Sequence, residues 1–150
     1  MQLADVLTTD RILLDLTASS KKTLLEKMAK VLAKADSETD HRQIFEGLCQ
    51  RERLGSTGLG LGIAIPHCRI SEQDEVAGAV IRLRKPIDFD APDQQNVDLF
   101  FALAIPENCT EAHLKLLADI AEFFKDTKKA SSVREAASAE DVIALMSHGE

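Results

Sequence analysis

From Val97 to Ile105 the chain is apolar at every position but Asp98, and Pro106 ends the run. A stretch of that length and composition fits a fully buried strand at the centre of a sheet. Proline closes it because it has no N–H to give to a ladder. The flanking segments alternate between strand and helix patterns. Arg11 to Leu16 reads as a first strand. Ser19 or Ser20 then caps a helix whose Leu24, Leu25, Met28, Val31 and Leu32 fall on one face, with Lys21, Lys22, Lys27 and Lys30 on its solvated side. Asp40 opens a second helix, with Ile44, Phe45 and Leu48 inward, that runs to about Arg53, where Gly55 stops it.

Ile63 to Ile65 reads as a short strand, and Val76 to Leu83 as a longer one ended by Lys85-Pro86, with Asp88 to Gln95 as polar loop. Thr110 caps a helix carrying Leu114, Leu117, Ile120, Ala121 and Phe124 on one side, and a shorter helix is predicted around Val133 to Ala136. Ser138 with Asp141 resembles a capping box for a last helix through Val142, Ile143, Leu145 and Met146. Strands alternating with helices over 150 residues predict a single α/β domain spanning 1–150.

Composition narrows the function. Six Phe and no Trp or Tyr make the core aliphatic. A formal charge of −7 argues against nucleic acid as the main partner and favours a partner with a basic surface. No apolar run approaches the ~20 residues that span a bilayer, so stable membrane insertion is not expected. Met1 to Asp10 lacks the basic and long apolar regions of a signal peptide, which points to the cytoplasm. Cys49, Cys68 and Cys109 are an odd, scattered set that implies no disulfide framework and reads as small packing residues.

The chemistry concentrates before and within Gly62-Ile63-Ala64-Ile65-Pro66-His67. Pro66 fixes its own φ and biases Ile65 toward extended backbone, so His67 sits at the end of a strand. The stretch Gly55-Ser56-Thr57-Gly58-Leu59-Gly60-Leu61-Gly62 before it is rich in backbone donors, which with the Ser56 and Thr57 hydroxyls suit phosphate oxygens. It is neither a GxxxxGK[ST] loop nor a GxGxxG turn, so a nucleoside triphosphate site is not expected. Neutral imidazole is a nucleophile near pH 7. His113, in the first turn of its helix, lies where bound anions are favoured. Arg51 and Arg53 end the second helix, where one guanidinium would clamp a phosphate. For each of these residues a purely structural reading stays open. A zinc site from His67, Cys68, His113 and Cys109 lacks ligand spacing, and a Cys68 hydrolase lacks a family motif.

The stretch Arg51-Glu52-Arg53-Leu54-Gly55-Ser56-Thr57-Gly58-Leu59-Gly60-Leu61-Gly62-Ile63-Ala64-Ile65-Pro66-His67, with the later His113-Leu114-Lys115, resembles enzyme IIA domains of the bacterial phosphotransferase system, mannitol/fructose class. Within that class it is most similar to the stand-alone nitrogen-regulatory IIA proteins. The resemblance implies a mixed, mainly parallel sheet with helices on both sides. It implies that His67 is phosphorylated on Nε2, that His113 contacts the phosphoryl group, and that Arg51, or Arg53 two residues on, is the arginine near the site. Ser56, Thr57 and Gly58 would support the phosphoryl group. No metal or diffusible cofactor is called for. The implied donor is an HPr-like phosphocarrier charged from phosphoenolpyruvate. The implied readout is binding to regulated target proteins, potassium transport or sensor components among the candidates. The alternative is a sugar-specific IIA that passes its phosphate to a IIB domain.

Overall fold

A computed structural model describes residues 2–33, 41–71 and 75–147. These residues form a six-stranded sheet between two helical layers. The elements in chain order are β1 (Ile12–Leu16), α1 (Lys21–Ala33), α2 (His41–Arg53), β2 (Gly58–Gly60), β3 (Ile63–Ala64), β4 (His67–Ile70), β5 (Ala77–Ile87), β6 (Val97–Pro106), α3 (Glu111–Lys125), α4 (Thr127–Glu135) and α5 (Ala139–Ser147). The sheet runs β1-β5-β6-β3-β2, with β4 also paired to β6. Pairings β1–β5, β3–β6 and β4–β6 are parallel, while β2–β3 and β5–β6 are antiparallel. The domain is therefore α/β, with a mixed, mostly parallel sheet.

The apolar run is the central strand, β6. Successive side chains leave a strand on opposite faces. Phe100, Ala102 and Ala104 accordingly pack with Leu24, Met28, Ile44 and Leu48 of α1 and α2. Leu99, Phe101, Leu103 and Ile105 pack with Leu116, Ile120, Phe124, Val133 and Val142 of α3, α4 and α5. Among the described residues no helix is long and apolar enough to cross a membrane.

Several sequence expectations change. The glycine-rich stretch is not all loop, because Gly58–Gly60 form β2 and pair antiparallel with β3. The reversal turns on Gly60, Leu61 and Gly62, all at positive φ (91°, 58° and 81°). A Cβ on Gly62 would also stand 2.8 Å from Nη2 of Arg134. His67 does not end a strand. It begins β4, which resumes pairing with β6 at Leu103 after β3 has paired at Leu99 and Phe100. The interruption falls at Ile65-Pro66, where proline withholds a ladder donor.

Strand β5 runs through Pro86 to Ile87 rather than stopping at Leu83. Its register against β6 shifts between Arg82 and Ile87, so Pro86 falls where no ladder bond is required. Helix α4 begins at Thr127, not near Val133, because the Asp126 carboxylate accepts from the Lys128 and Lys129 amides. Arg11, read as strand, closes a 3-10 turn. In α3 the buried face is Leu116, Ile120, Phe123 and Phe124, and Leu114 is 54% exposed. Two lysines read as solvated are engaged: Lys27 Nζ donates to the Thr17 carbonyl, and Lys21 points into the protein. Ser20 caps α1 through Thr23 N–H, and Ser138 caps α5 through Asp141 N–H. Asp40 lies outside the described residues.

Candidate functional site

Strand alternation sets the directions at β4. His67 pairs with Leu103, whose side chain faces α3, and Cys68 pairs with Ala104, which faces α1 and α2. Cys68 is buried in the α1/α2 layer, while His67 is half-buried. Nδ1 of His67 lies 2.9 Å from the Ile65 carbonyl. A carbonyl only accepts, so Nδ1 carries the hydrogen and Nε2 keeps its lone pair. Burial holds the imidazole below its usual proton affinity, and the positive charges of Arg51 and Arg69 act in the same direction. The Ile65 carbonyl and the Glu52 carboxylate oppose them. The net direction favours the neutral ring near pH 7, with its lone pair on Nε2.

A cleft of about 270 Å³ opens beside this ring, lined by Arg51, Ser56, Thr57, Gly58, Leu59, Ile65, His67 and Leu117. Five residues singled out in the sequence, Arg51, Ser56, Thr57, Gly58 and His67, thus share one cleft. Arg53 does not line it. It lines a neighbouring cleft that His67 and Arg51 also border. Arg51 Nη1 donates to the Gly55 carbonyl at 2.9 Å, tying the last turn of α2 to the glycine turn.

His113 stands one helical turn before Leu117, and residues at i and i+4 share a face. His113 itself is not among the residues that line the cleft; Leu117, one turn further along the same face of α3, is the residue that does. The Thr110 N–H donates to His113 Nδ1 at 3.0 Å. A backbone N–H only donates, so Nδ1 accepts and the neutral ring carries its hydrogen on Nε2. The two imidazoles hold opposite tautomers, each fixed by a backbone group: one offers a lone pair at Nε2, the other an N–H.

The loop donors are largely committed inside the protein. Thr57 donates its N–H to Glu52 Oε1 at 3.3 Å and its hydroxyl to Glu52 Oε2. The Ser56 hydroxyl donates to the Phe89 carbonyl at 3.1 Å and accepts the Gly58 N–H at 3.0 Å. Glu52 is buried, and Lys21 Nζ, 3.0 Å from Oε1, balances its charge. The same ammonium reaches the Phe89 carbonyl at 3.3 Å and lies 4.5 Å from the Phe89 ring centroid. The start of α1, the end of α2 and the 88–90 segment thus converge on the turn that faces His67.

Sequence reasoning gave Glu52 and Arg69 no part in the site and read Lys21 as solvated. Signals existed. Glu52 follows Ile44 and Leu48 at intervals of four, on the stripe α2 buries. Lys21 lies four residues before Leu25 on the buried stripe of α1. Two opposite charges on facing apolar stripes imply a buried pair. Arg69 is two residues from His67 and so leaves β4 on the same face. Three exposed leucines, Leu54 (84%), Leu59 (42%) and Leu114 (54%), flank the two clefts or His113. Among the described residues, no three His, Cys, Asp or Glu side chains are grouped to hold a metal ion.

Comparison with known proteins gives consistent matches. The family profile described as phosphoenolpyruvate-dependent sugar phosphotransferase system, EIIA 2, matches residues 5–149. A nitrogen regulatory protein of Pseudomonas aeruginosa is 45% identical over 140 residues, covering 93% of this chain and 91% of that protein. The crystal structure of nitrogen regulatory protein IIA-Ntr from Neisseria meningitidis superposes with a TM-score of 0.91 at 42% identity, covering 96% of this chain and 98% of that one. IIA mannitol from Escherichia coli shares the fold, with a TM-score of 0.76 at 19% identity, covering 93% and 98% of the two chains.

Proposed function

The chain belongs to the EIIA 2 family of the phosphoenolpyruvate-dependent sugar phosphotransferase system, and from that membership we propose that it is a cytoplasmic phosphohistidine carrier and regulator in which His67 takes a phosphoryl group from an HPr-like phosphocarrier. The observation that carries this reading is the Ile65 carbonyl on Nδ1 of His67, which leaves Nε2 unprotonated at the mouth of the cleft.

In the proposed step, the donor's phosphohistidine aligns its phosphorus with His67 Nε2. The new N–P bond forms as the donor's N–P bond breaks, and the donor imidazole leaves with the bonding pair. The hydrogen stays on His67 Nδ1, donated to the Ile65 carbonyl, so no proton crosses. Such a transfer depends on alignment and on neutralising the equatorial oxygens. Arg51 supplies a guanidinium and His113 an Nε2–H for that purpose. Ser56, Thr57 and Gly58 act mainly by shape: their internal bonds to Glu52 and Phe89 hold the turn rigid, and an arrangement made before reaction costs no reorganisation during it. The exposed Leu54, Leu59 and Leu114 form an apolar rim suited to transient docking of the carrier.

The phosphorylated ring brings about two negative charges to a surface whose leucines stay unchanged. Partners are then sorted by the charge they tolerate against this rim, which is how phosphorylation state would regulate target proteins, with potassium transport or sensor components among the candidates. The nitrogen regulatory names of the relatives favour this regulatory reading.

The test combines phosphoenolpyruvate, enzyme I and the HPr-like donor, with intact mass as readout. One acid-labile phosphoryl group is expected on the wild type and none on His67→Ala. His113→Ala is expected to be phosphorylated more slowly; transfer at the wild-type rate would remove His113 from the site. Sugar-class IIB proteins serve as alternative acceptors, and fast transfer to one of them would replace the regulatory reading with a sugar-specific one.

A further inference from the structure

A cleft of about 700 Å³ lies between the end of α2 and β4 and shares Arg51 and His67 with the smaller cleft. It is lined by Gly47, Gln50, Arg51, Arg53, Leu54, His67, Cys68 and Arg69. Its volume falls within the range of small-molecule sites. Three of its walls are guanidinium groups, and their bonding differs from that of other arginines in the chain. Arg11 donates to the Gly78 and Val6 carbonyls, and Arg82 to those of Leu14, Val133, Arg134 and Ala136. Arg84 pairs with Asp15, and Arg134 with Asp98. Around the cleft, Arg51 makes one bond, to the Gly55 carbonyl. Among the described residues, the Arg53 and Arg69 guanidiniums make no hydrogen bond and no ion pair.

Carboxylates are not scarce, since 25 Asp and Glu face 18 Lys and Arg over the whole chain. An acidic protein that gathers uncompensated guanidiniums at one concave spot creates a local anion trap. Guanidinium is weakly hydrated, and its planar fork matches phosphate and carboxylate oxygens. Gly47 and Cys68 add small floor residues, and Gln50 adds an amide. We propose that this cleft binds a small polyanion, of the phosphate or polycarboxylate class, across Arg51, Arg53 and Arg69, and that its occupancy holds His67 out of phosphoryl transfer.

The regulatory half rests on the phosphocarrier reading above. His67 borders the cleft, so a bound anion occupies space beside the ring that an incoming phosphoryl group must approach. The charges acting on His67 are Arg51 and Glu52 from α2 and Arg69 from β4, with the His113 face of α3 beyond the smaller cleft. An anion across Arg51 and Arg69 also cancels their field and so raises the proton affinity of the ring, although burial, the largest cause, still favours the neutral form. A small ion fits better than an acidic protein segment, because the chain's −7 charge repels a large acidic surface while a small ion meets only the local field.

The test titrates isotopically labelled, unphosphorylated protein with pyrophosphate and separately with citrate, at an ionic strength held constant with sodium chloride. Saturable shifts at His67 and Arg69 are expected, with a rise in the His67 titration midpoint and slower phosphorylation by the HPr-like donor at the same anion concentration. Saturation by pyrophosphate alone assigns the phosphate class, and by citrate alone the polycarboxylate class. The shifts should vanish in the Arg53→Ala/Arg69→Ala double variant, whose exposed positions leave the fold intact. Shifts that never saturate, that persist in the double variant, or that arise only with a polyglutamate peptide would overturn the site. Saturable binding with an unchanged transfer rate would overturn the inhibitory role. The binding readout uses unphosphorylated protein, so a failure of His67 to accept phosphate would appear in the mass assay and not here.

Discussion

Gly47 of α2 and Cys68 of β4 meet so closely that a Cβ on the glycine would stand 2.8 Å from the Cβ of the cysteine. A helix and a strand can approach this far only where one side lacks a side chain and the other has a small one. The contact seats α2 on the strand whose first residue is His67 and explains why a small buried residue follows the histidine.

Gly47→Ala therefore sets two effects against each other. Alanine gains about 1 kcal/mol of helix propensity over glycine. The clash falls on Cβ and Sγ of a buried side chain rather than on a flexible end, and overpacking of this kind costs about 1–3 kcal/mol. A net loss on the order of 1 kcal/mol is expected in denaturant unfolding, with slower phosphorylation because β4 must shift. Unchanged or raised stability would show that the contact relaxes freely.

The buried Glu52 carboxylate holds both Thr57 donors and Lys21. Glu52→Ala takes the nearer carboxylate from the Lys21 ammonium and leaves both Thr57 donors without their partner, at a cost of about 3 kcal/mol. Glu52→Gln keeps a carbonyl acceptor and should lose less stability. Urea midpoints compare the two. Equal losses would mean that the carboxylate contributes size rather than bonding.

A buried group and a half-buried one set opposite pH dependences. Burial pushes the Cys68 thiol from its ordinary 9.0 up to about 12. Its folded value lies above its unfolded one, so its contribution is complete below about pH 9 and lost as pH rises toward 12. His67 is held below its ordinary 6.5, so the fold favours the neutral ring. That contribution is complete above pH 6.5 and lost as pH falls through the folded value. An NMR titration should place the His67 midpoint below 6.5, and a midpoint above it would contradict the account. At pH 8, folded protein should resist alkylation at Cys68.

The central strand was legible because an apolar run of its length has few other places to go, and both flanking helical layers followed from their stripes. Strand β4 was not, since His67-Cys68-Arg69-Ile70 follows a proline and mixes polar with apolar residues, and only pairing with β6 makes it a strand. Lys21 and Leu114 were misplaced for one reason. Residue type was taken to decide burial, whereas partners across the fold decide it: Glu52 draws a lysine inward, and the orientation of α3 turns a leucine outward. The grouping of Arg51, Ser56, Thr57, Gly58 and His67 was visible in the chain because a helix end, a turn and a strand start lie within seventeen residues (51–67). The Glu52 network was hidden because its other half is thirty-one residues away, at Lys21.

The claim that Nε2 of His67 carries the phosphoryl group is tested most directly by nitrogen and phosphorus NMR on the phosphorylated, labelled protein. The account predicts phosphorus coupled to His67 Nε2, with Nδ1 still protonated against the Ile65 carbonyl. Phosphorus on His67 Nδ1, or on either nitrogen of His113, would contradict it.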